Sequence, residues 1–227
     1  YERAVVALLE RDGPAVLMGH SMGGAVSIRV AAHRPELVRA LVLLDPALPS
    51  TTASLRGRIH TIREFLPLLV PALGRLVVSR RHRRQGPDGI VAEHIAWNAH
   101  RPERIDPELR ADLVDLAHQR WKHQPEVDSV YAASARSVTR YVIRGMRNDL
   151  EAVHGATLLI HAEHDRLIPL GDARVVAERH PEWDYQEVPD CGHAVQIELP
   201  DRLLDITVPW IARHLEAVPA APRPPSM

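Results

Sequence analysis

The stretch from Val38 to Leu44 reads Val-Arg-Ala-Leu-Val-Leu-Leu, with Pro35 shortly before it and Pro46 shortly after it. A run this short and apolar, rich in leucine and β-branched residues, is the signature of a strand covered on both faces; half-exposed antiparallel strands alternate instead. Covering both faces requires helices on either side of the sheet, so the run predicts a parallel sheet in an α/β protein. The composition can fill such a core, since 45% of the 227 residues are hydrophobic and 25% are charged. The single cysteine, Cys191, cannot form a disulfide within the chain, so packing must hold the fold alone.

Short apolar runs and helical stretches alternate around this strand. Ala15 to Met18 reads as a strand, closed by the glycine-bounded turn Gly19-His20-Ser21-Met22-Gly23-Gly24. Met22 to His33 is apolar on nearly all sides, as in a helix pressed against a sheet, and Pro35 stops it. Further on, Thr157 to His161 is a strand, Gly171 to Arg179 a helix, Tyr185 to Val188 a short strand and Leu203 to Leu215 a closing helix. Strand and helix in turn give a doubly wound, mainly parallel α/β sheet.

Between Pro46 and about Met146 no comparable strand appears, and Pro67, Pro71, Pro87, Pro102, Pro107 and Pro125 punctuate a helical pattern. This predicts a helical cap over 47–146, inserted into an α/β core made of 1–46 and 147–217. The tail 218–227 holds four prolines in ten residues and is expected to be disordered. The chain opens on Tyr1, and Ala4, Val5, Leu8 and Leu9 recur at helical spacing as if in mid-helix, so the core is expected to be N-terminally incomplete.

Lys and Arg number 28 against 29 Asp and Glu, a formal charge of −1 that draws the molecule to neither nucleic acid nor an acidic membrane. The one dense basic run, Arg80-Arg81-His82-Arg83-Arg84, has no aromatic interleaving and reads as a solvated loop. The best apolar run, Phe65 to Leu73, is short and broken by Pro67 and Pro71, so no membrane span is expected. A small uncharged substrate fits this balance, and the cytoplasm is the default compartment for a lone-cysteine chain. The oligomeric state is open.

Gly19-His20-Ser21-Met22-Gly23 is a G-x-S-x-G segment set after a strand and before a helix, which is the context of a nucleophile elbow. The turn would lift the Ser21 hydroxyl above the carboxyl edge of the sheet, with the Met22 N–H at the helix start aimed at a developing oxyanion. Serine is also a favoured helix N-cap, so the same residues read as a cap with a glycine-rich approach. As a nucleophile, a serine needs a base within reach and a carboxylate to orient that base. Asp165 follows the strand ending at His161, and His193 follows the strand ending at Val188, so both reach the same edge.

With these residues in place, the chain resembles the α/β-hydrolase superfamily. Gly-His-Ser-Met-Gly-Gly is similar to its nucleophile elbow, His161 to Pro169 to its acid loop, and Cys191-Gly192-His193 with Glu198 and Pro200 to its histidine loop. The resemblance implies the C-terminal part of an α/β-hydrolase sheet with an inserted cap. It also implies Ser21 as nucleophile, His193 as general acid and base, and Asp165 as the residue orienting His193. The expected activity is hydrolysis of an ester or related acyl bond through an acyl-enzyme, with no cofactor and no metal. Carbon–carbon bond hydrolases, thioesterases and cofactor-free peroxidases share this triad and stay open, as does a non-catalytic truncated homologue.

Two departures stand out. The acid loop opens His161-Ala162 where the family usually has His-Gly, a mild change. Family members also carry about four strands before the elbow, with an early His-Gly loop that supplies a second oxyanion N–H. Only 20 residues precede Ser21, and the sole His-Gly pair, His154-Gly155, lies after the elbow. The resemblance therefore implies further strands upstream. Asp45, after the Val38 to Leu44 strand, is an alternative acid or a turn residue before Pro46. His161, His164 and Asp165 resemble a metal cluster in composition only: a zinc-binding helix would place two histidines four apart with a third ligand elsewhere, and these three sit at a strand end. Cys191 reads as a small packed residue, not a nucleophile. Trp97, Trp121, Leu66, Leu68 and Leu69 line a substrate pocket or build the cap's own core.

Overall fold

The computed structural model describes residues 1–50 and 66–216. The predicted tail 218–227 and part of the predicted cap, residues 51–65, lie outside the described residues. In chain order the elements are α1 (Glu2–Asp12), β1 (Ala15–His20), α2 (Met22–His33), β2 (Val38–Leu44), α3 (Pro71–Asn98), α4 (Pro107–Trp121) and α5 (Gln124–Arg144). They continue with α6 (Met146–Glu151), β3 (Thr157–Ala162), α7 (Leu170–Arg179), β4 (Asp184–Val188), α8 (Val195–Glu198) and α9 (Pro200–Glu216).

The four strands form one sheet in the order β1-β2-β3-β4, and every neighbouring pair is parallel. As the sequence pattern requires, β2 is buried over five of its seven residues and β3 over all six. Successive side chains of β2 go to opposite faces. Leu41 and Leu43 join Leu159 against Ile28 of α2, Leu150 of α6 and Val176 of α7. Ala40, Val42 and Leu44 join Leu158 and Ile160 against Val195 of α8 and Leu203 and Trp210 of α9. Helices thus cover both faces, and the doubly wound architecture follows from one strand whose two faces are equally apolar.

β1 is an edge strand of this sheet, and Met18 at its centre is 47% exposed. It runs two residues past the predicted end at Met18, because Gly19 and His20 still pair with Leu43 and Leu44 of β2.

The described chain between β2 and β3 is helical. Pro71 and Pro107 each open a helix, and Pro125 sits at the second position of α5, where the missing donor of proline costs nothing. The Asp106 carboxylate caps α4 through the Glu108 and Leu109 N–H groups at 2.7 and 3.1 Å. α3 is interrupted at Gly86 and Pro87. The run Arg80 to Arg84, expected to be a loop, lies within α3, and Arg81 pairs with Glu93 across the break at 2.6 Å. The run is helical because arginine is a good helix former and none of its five residues breaks a helix; the break falls later, at Gly86 and Pro87.

Candidate active site

Each of β1, β2, β3 and β4 delivers one loop to the carboxyl edge of the sheet. Ser21 follows β1; its N–H donates to Leu44 O at 3.0 Å, and its own carbonyl accepts from Ala25 N at 3.2 Å and Ala47 N at 3.0 Å. These bonds hold the residue at φ 51° and ψ −114°, and its side chain makes no capping bond to α2. That separates the two readings of the segment: Ser21 stands at the cap position yet caps nothing. The turn is sterically tight. A Cβ on Gly19 would lie 2.6 Å from Gly23 O, and one on Gly24 would lie 2.7 Å from the Pro46 Cβ. Gly23 has open space at the same position, so Gly24, not Gly23, pairs with Gly19 in allowing the close approach.

Among the described residues, the non-glycine positions with positive φ are Ser21, Asp45 and Asp190, and all three lie in loops just past strand ends at this edge. Such conformations cost about 1–3 kcal/mol each and persist where surrounding structure over-determines them, often at functional sites.

Asp165 and His193 meet directly: His193 Nδ1 donates to Asp165 Oδ2 at 2.7 Å, and both side chains are buried. The other carboxylate oxygen accepts from Leu167 N at 2.7 Å and Ile168 N at 2.9 Å, which fixes its orientation. With Nδ1 committed, Nε2 is the nitrogen of His193 left for a reacting group. No hydrogen bond joins Ser21 to His193 among the described residues. The elbow reaches the histidine loop through the residue next door: His20 Nε2 donates to His193 O at 2.6 Å, and the two rings lie 4.7 Å apart. Burial, reinforced by His193, pushes the His20 pKa down to about 4, so the ring is neutral and keeps its proton for that carbonyl. Sequence reasoning passed over His20, although it is the variable residue inside the elbow motif.

Asp45 is more than the turn residue the sequence suggested. It is fully buried at the end of β2, and its Oδ1 accepts from Ala162 N at 2.7 Å, tying β2 to the start of the acid loop. Burial, with Asp165 nearby, raises its pKa well above the ordinary carboxylate range. It does not bond His193; Asp165 does. His161, also fully buried, donates from Nε2 to Ile168 O at 3.0 Å and closes the acid loop. Desolvation lowers its pKa, which keeps it neutral. Cys191 is buried, and burial pushes its thiol up to about 12, so it stays a packed thiol and not a nucleophile.

The trio His161, His164 and Asp165 is split by the fold. His161 and Asp165 group with Asp45 in the interior, whereas His164 stacks on His100 at 3.9 Å beside Asp190 at the surface. Each triple has ligand atoms close enough for a metal ion. Asp190, however, already pairs with Arg101 and Arg104, which hold its carboxyl down at about 2, and Asp165 is committed to His193.

The family model described as "Alpha/beta hydrolase family" matches residues 1–206. The chain belongs to the alpha/beta hydrolase family. Lipase LipV of Mycobacterium tuberculosis is 31% identical over 198 residues, covering 85% of this chain and 67% of that protein. A monoacylglycerol lipase of Mycolicibacterium smegmatis is 26% identical over 222 residues, covering 94% of this chain and 68% of that protein. Among solved structures, a thermophilic esterase from Thermogutta terrifontis aligns with a TM-score of 0.62 at 24% identity, over 92% of this chain and 69% of that one. The chain thus spans about two thirds of the length of these alpha/beta hydrolases. Its four parallel strands are consistent with the C-terminal part of the family's sheet, and the kinship supports a hydrolase.

Other expected alpha/beta-hydrolase features fall into place unevenly. Met22 is the first residue of α2, where helix N–H groups have no intrahelical partner. His154-Gly155 precedes β3 and so lies at the amino end of that strand, away from the edge that carries Ser21. Clefts of about 330 and 210 Å³ lie elsewhere, one against Leu150 and Val176 and one between α3 and α4, and neither is lined by Ser21, Asp165 or His193. Among the described residues no helix is long and apolar enough to cross a membrane.

Proposed function

We propose that this chain is a serine hydrolase that cleaves an ester or related acyl bond of a small uncharged substrate. Ser21 Oγ attacks the acyl carbon while His193 Nε2 takes the hydroxyl proton; Asp165 holds the Nδ1–H and stabilises the imidazolium. The Met22 N–H donates to the oxyanion. His193 then protonates the departing alcohol, leaving an acyl-serine. Water attacks that ester with His193 again as base, releasing the acid and restoring Ser21. The helices over 66–146 serve as a cap that shapes access to this edge.

The observation that carries this reading is Ser21 itself. It is held at φ 51° with a side chain that caps nothing, on the same sheet edge as a histidine already bonded to a buried carboxylate. Fluorophosphonate labelling of the purified chain tests it, with p-nitrophenyl esters of several acyl lengths, a thioester and a carbon–carbon hydrolase substrate as the activity panel. The expected result is covalent labelling and ester turnover that vanish in Ser21→Ala. A folded chain that neither labels nor turns over any of the panel is a non-catalytic homologue, and the reading fails.

A further inference from the structure

The carboxylate of Glu198 is buried, and every hydrogen bond it accepts comes from the backbone. Oε2 accepts from His100 N at 2.9 Å and from Gly192 N at 3.0 Å, and Oε1 accepts from Arg101 N at 2.8 Å. Two of these donors belong to the chain leaving α3, and the third precedes His193 directly. Glu198 ends α8, the four-residue helix that begins two residues after His193. One buried anion therefore ties the end of the cap helix to both flanks of the proposed base.

The two backbones also touch at this point. A Cβ on Gly192 would lie 2.4 Å from Asn98 O and 2.5 Å from His100 N, so only glycine permits the approach that brings the three donors onto one carboxylate. Outside this centre lies a ring of weaker, exposed contacts: Arg101 Nε to Asp190 Oδ1 at 3.0 Å, Arg104 to Asp190 O at 2.7 Å, and the His100–His164 stack. Exposed pairs of that kind add little, whereas a buried carboxylate with charge-assisted bonds cannot lose a partner without stranding N–H groups away from water.

We propose that Glu198 is a positioning residue that makes the seating of the cap's α3 end and the placement of His193 a single event. This rests on the hydrolase reading only for its effect on rate. When the three bonds are made, the histidine loop is fixed against the cap; when they break, both segments loosen together and His193 loses its register with Ser21. Glu198→Gln is the discriminating change, because its amide offers one acceptor and one donor head to three N–H groups and keeps the volume.

Hydrogen exchange decides the coupling without reference to activity. In Glu198→Gln, exchange over 98–104 and over 190–194 rises together by roughly 10-fold or more, while β2 is unchanged. A rise in one segment alone, or in neither, overturns the proposal. On an ester substrate, kcat falls roughly 10- to 100-fold with a smaller change in KM, and the acid limb of the pH–rate profile moves. Gly192→Ala, which pushes the same backbones apart without altering charge, reproduces both effects. If active-site titration shows that the remaining labelled molecules turn over at the normal rate, Glu198 serves folding alone and the positioning role is wrong. A wild-type chain that neither labels nor hydrolyses sinks the hydrolase reading instead, and with it the effect on rate, while the exchange result still stands or falls by itself.

Discussion

His20 donates its Nε2 proton to the backbone carbonyl of His193 at 2.6 Å, so the residue before the proposed nucleophile holds the residue that would activate it. Replacing the ring by one of similar size without a donor, His20→Phe, is expected to lower kcat by roughly 10- to 100-fold with little change in KM, as a displaced base would. Steady-state kinetics on a p-nitrophenyl ester checks this.

The same ring carries a pH dependence. Its folded pKa of about 4 lies below the ordinary 6.5, so the unfolded chain binds the proton more readily. The contribution is complete above about 6.5 and is lost as pH falls towards 4, with an upper bound of about 3 kcal/mol. His94 and His161 shift in the same direction through burial, so His20→Phe flattens the acid side of the stability profile without abolishing its slope. Urea midpoints measured from pH 7 down to pH 4 provide the comparison; parallel profiles for the two proteins would contradict it.

Ser21 occupies a backbone conformation that suits glycine better than serine. Ser21→Gly should abolish labelling and raise the unfolding free energy by about 1–2 kcal/mol, the release of local strain. Ser21→Ala should abolish labelling without that gain. Equal stability of the two variants in denaturant would show that the positive φ carries no cost.

Two buried carboxylates stand close together here, and they should respond oppositely to the same chemical change. Asp165→Asn removes the acceptor that orients His193 and should cost on the order of 10⁴ in kcat. Asp45→Asn mimics a carboxyl that burial already biases towards the neutral form, and its remaining oxygen can still accept from Ala162 N. A raised carboxyl pKa means stability present at low pH and lost as pH rises above the ordinary 3.8. Asp45→Asn should therefore stabilise the chain at pH 8 more than at pH 5 and keep most of the activity. Unfolding at both values, with kcat for each variant, tests the pair.

Those contrasts also mark what a sequence can carry. The strands were legible because β2 and β3 are apolar on both faces; Pro71, Pro107 and Pro125 read only as breaks, whereas each sits in the first turn of a helix. The order of Ser21, Asp165 and His193 was legible because each follows a strand end in a parallel sheet. The contact of Asp45 with Ala162 was not, since it spans 117 residues and exists only because β2 and β3 are neighbours. Pro46 announced a turn and said nothing of what the turn would meet. Glu198 appeared as part of a motif, but its partners at His100 and Arg101 depend on where α3 ends in space. The basic run at Arg80 read as a loop through its charge, although arginine is a good helix former and the break comes only at Gly86.

The elbow glycines give the last contrast. The pattern G-x-S-x-G names Gly19 and Gly23, yet a side chain at Gly23 would meet open space, while Gly19 and Gly24 are pressed against backbone and Pro46. Gly23→Ala sits within the first turn of α2, where alanine is the better helix former, and should stabilise by about 0.5–1 kcal/mol. Gly19→Ala puts a methyl 2.6 Å from a carbonyl oxygen that belongs to the turn itself, so no flexible side chain can yield. The elbow must open, at a cost of about 1–3 kcal/mol and with Ser21 moved off its position. Thermal unfolding of the two alanine variants, read beside fluorophosphonate labelling rates, should place Gly23→Ala above the parent in stability. Gly19→Ala should fall below it in both measurements; the reverse order would mean that the turn is not as tight as the Gly19–Gly23 approach requires.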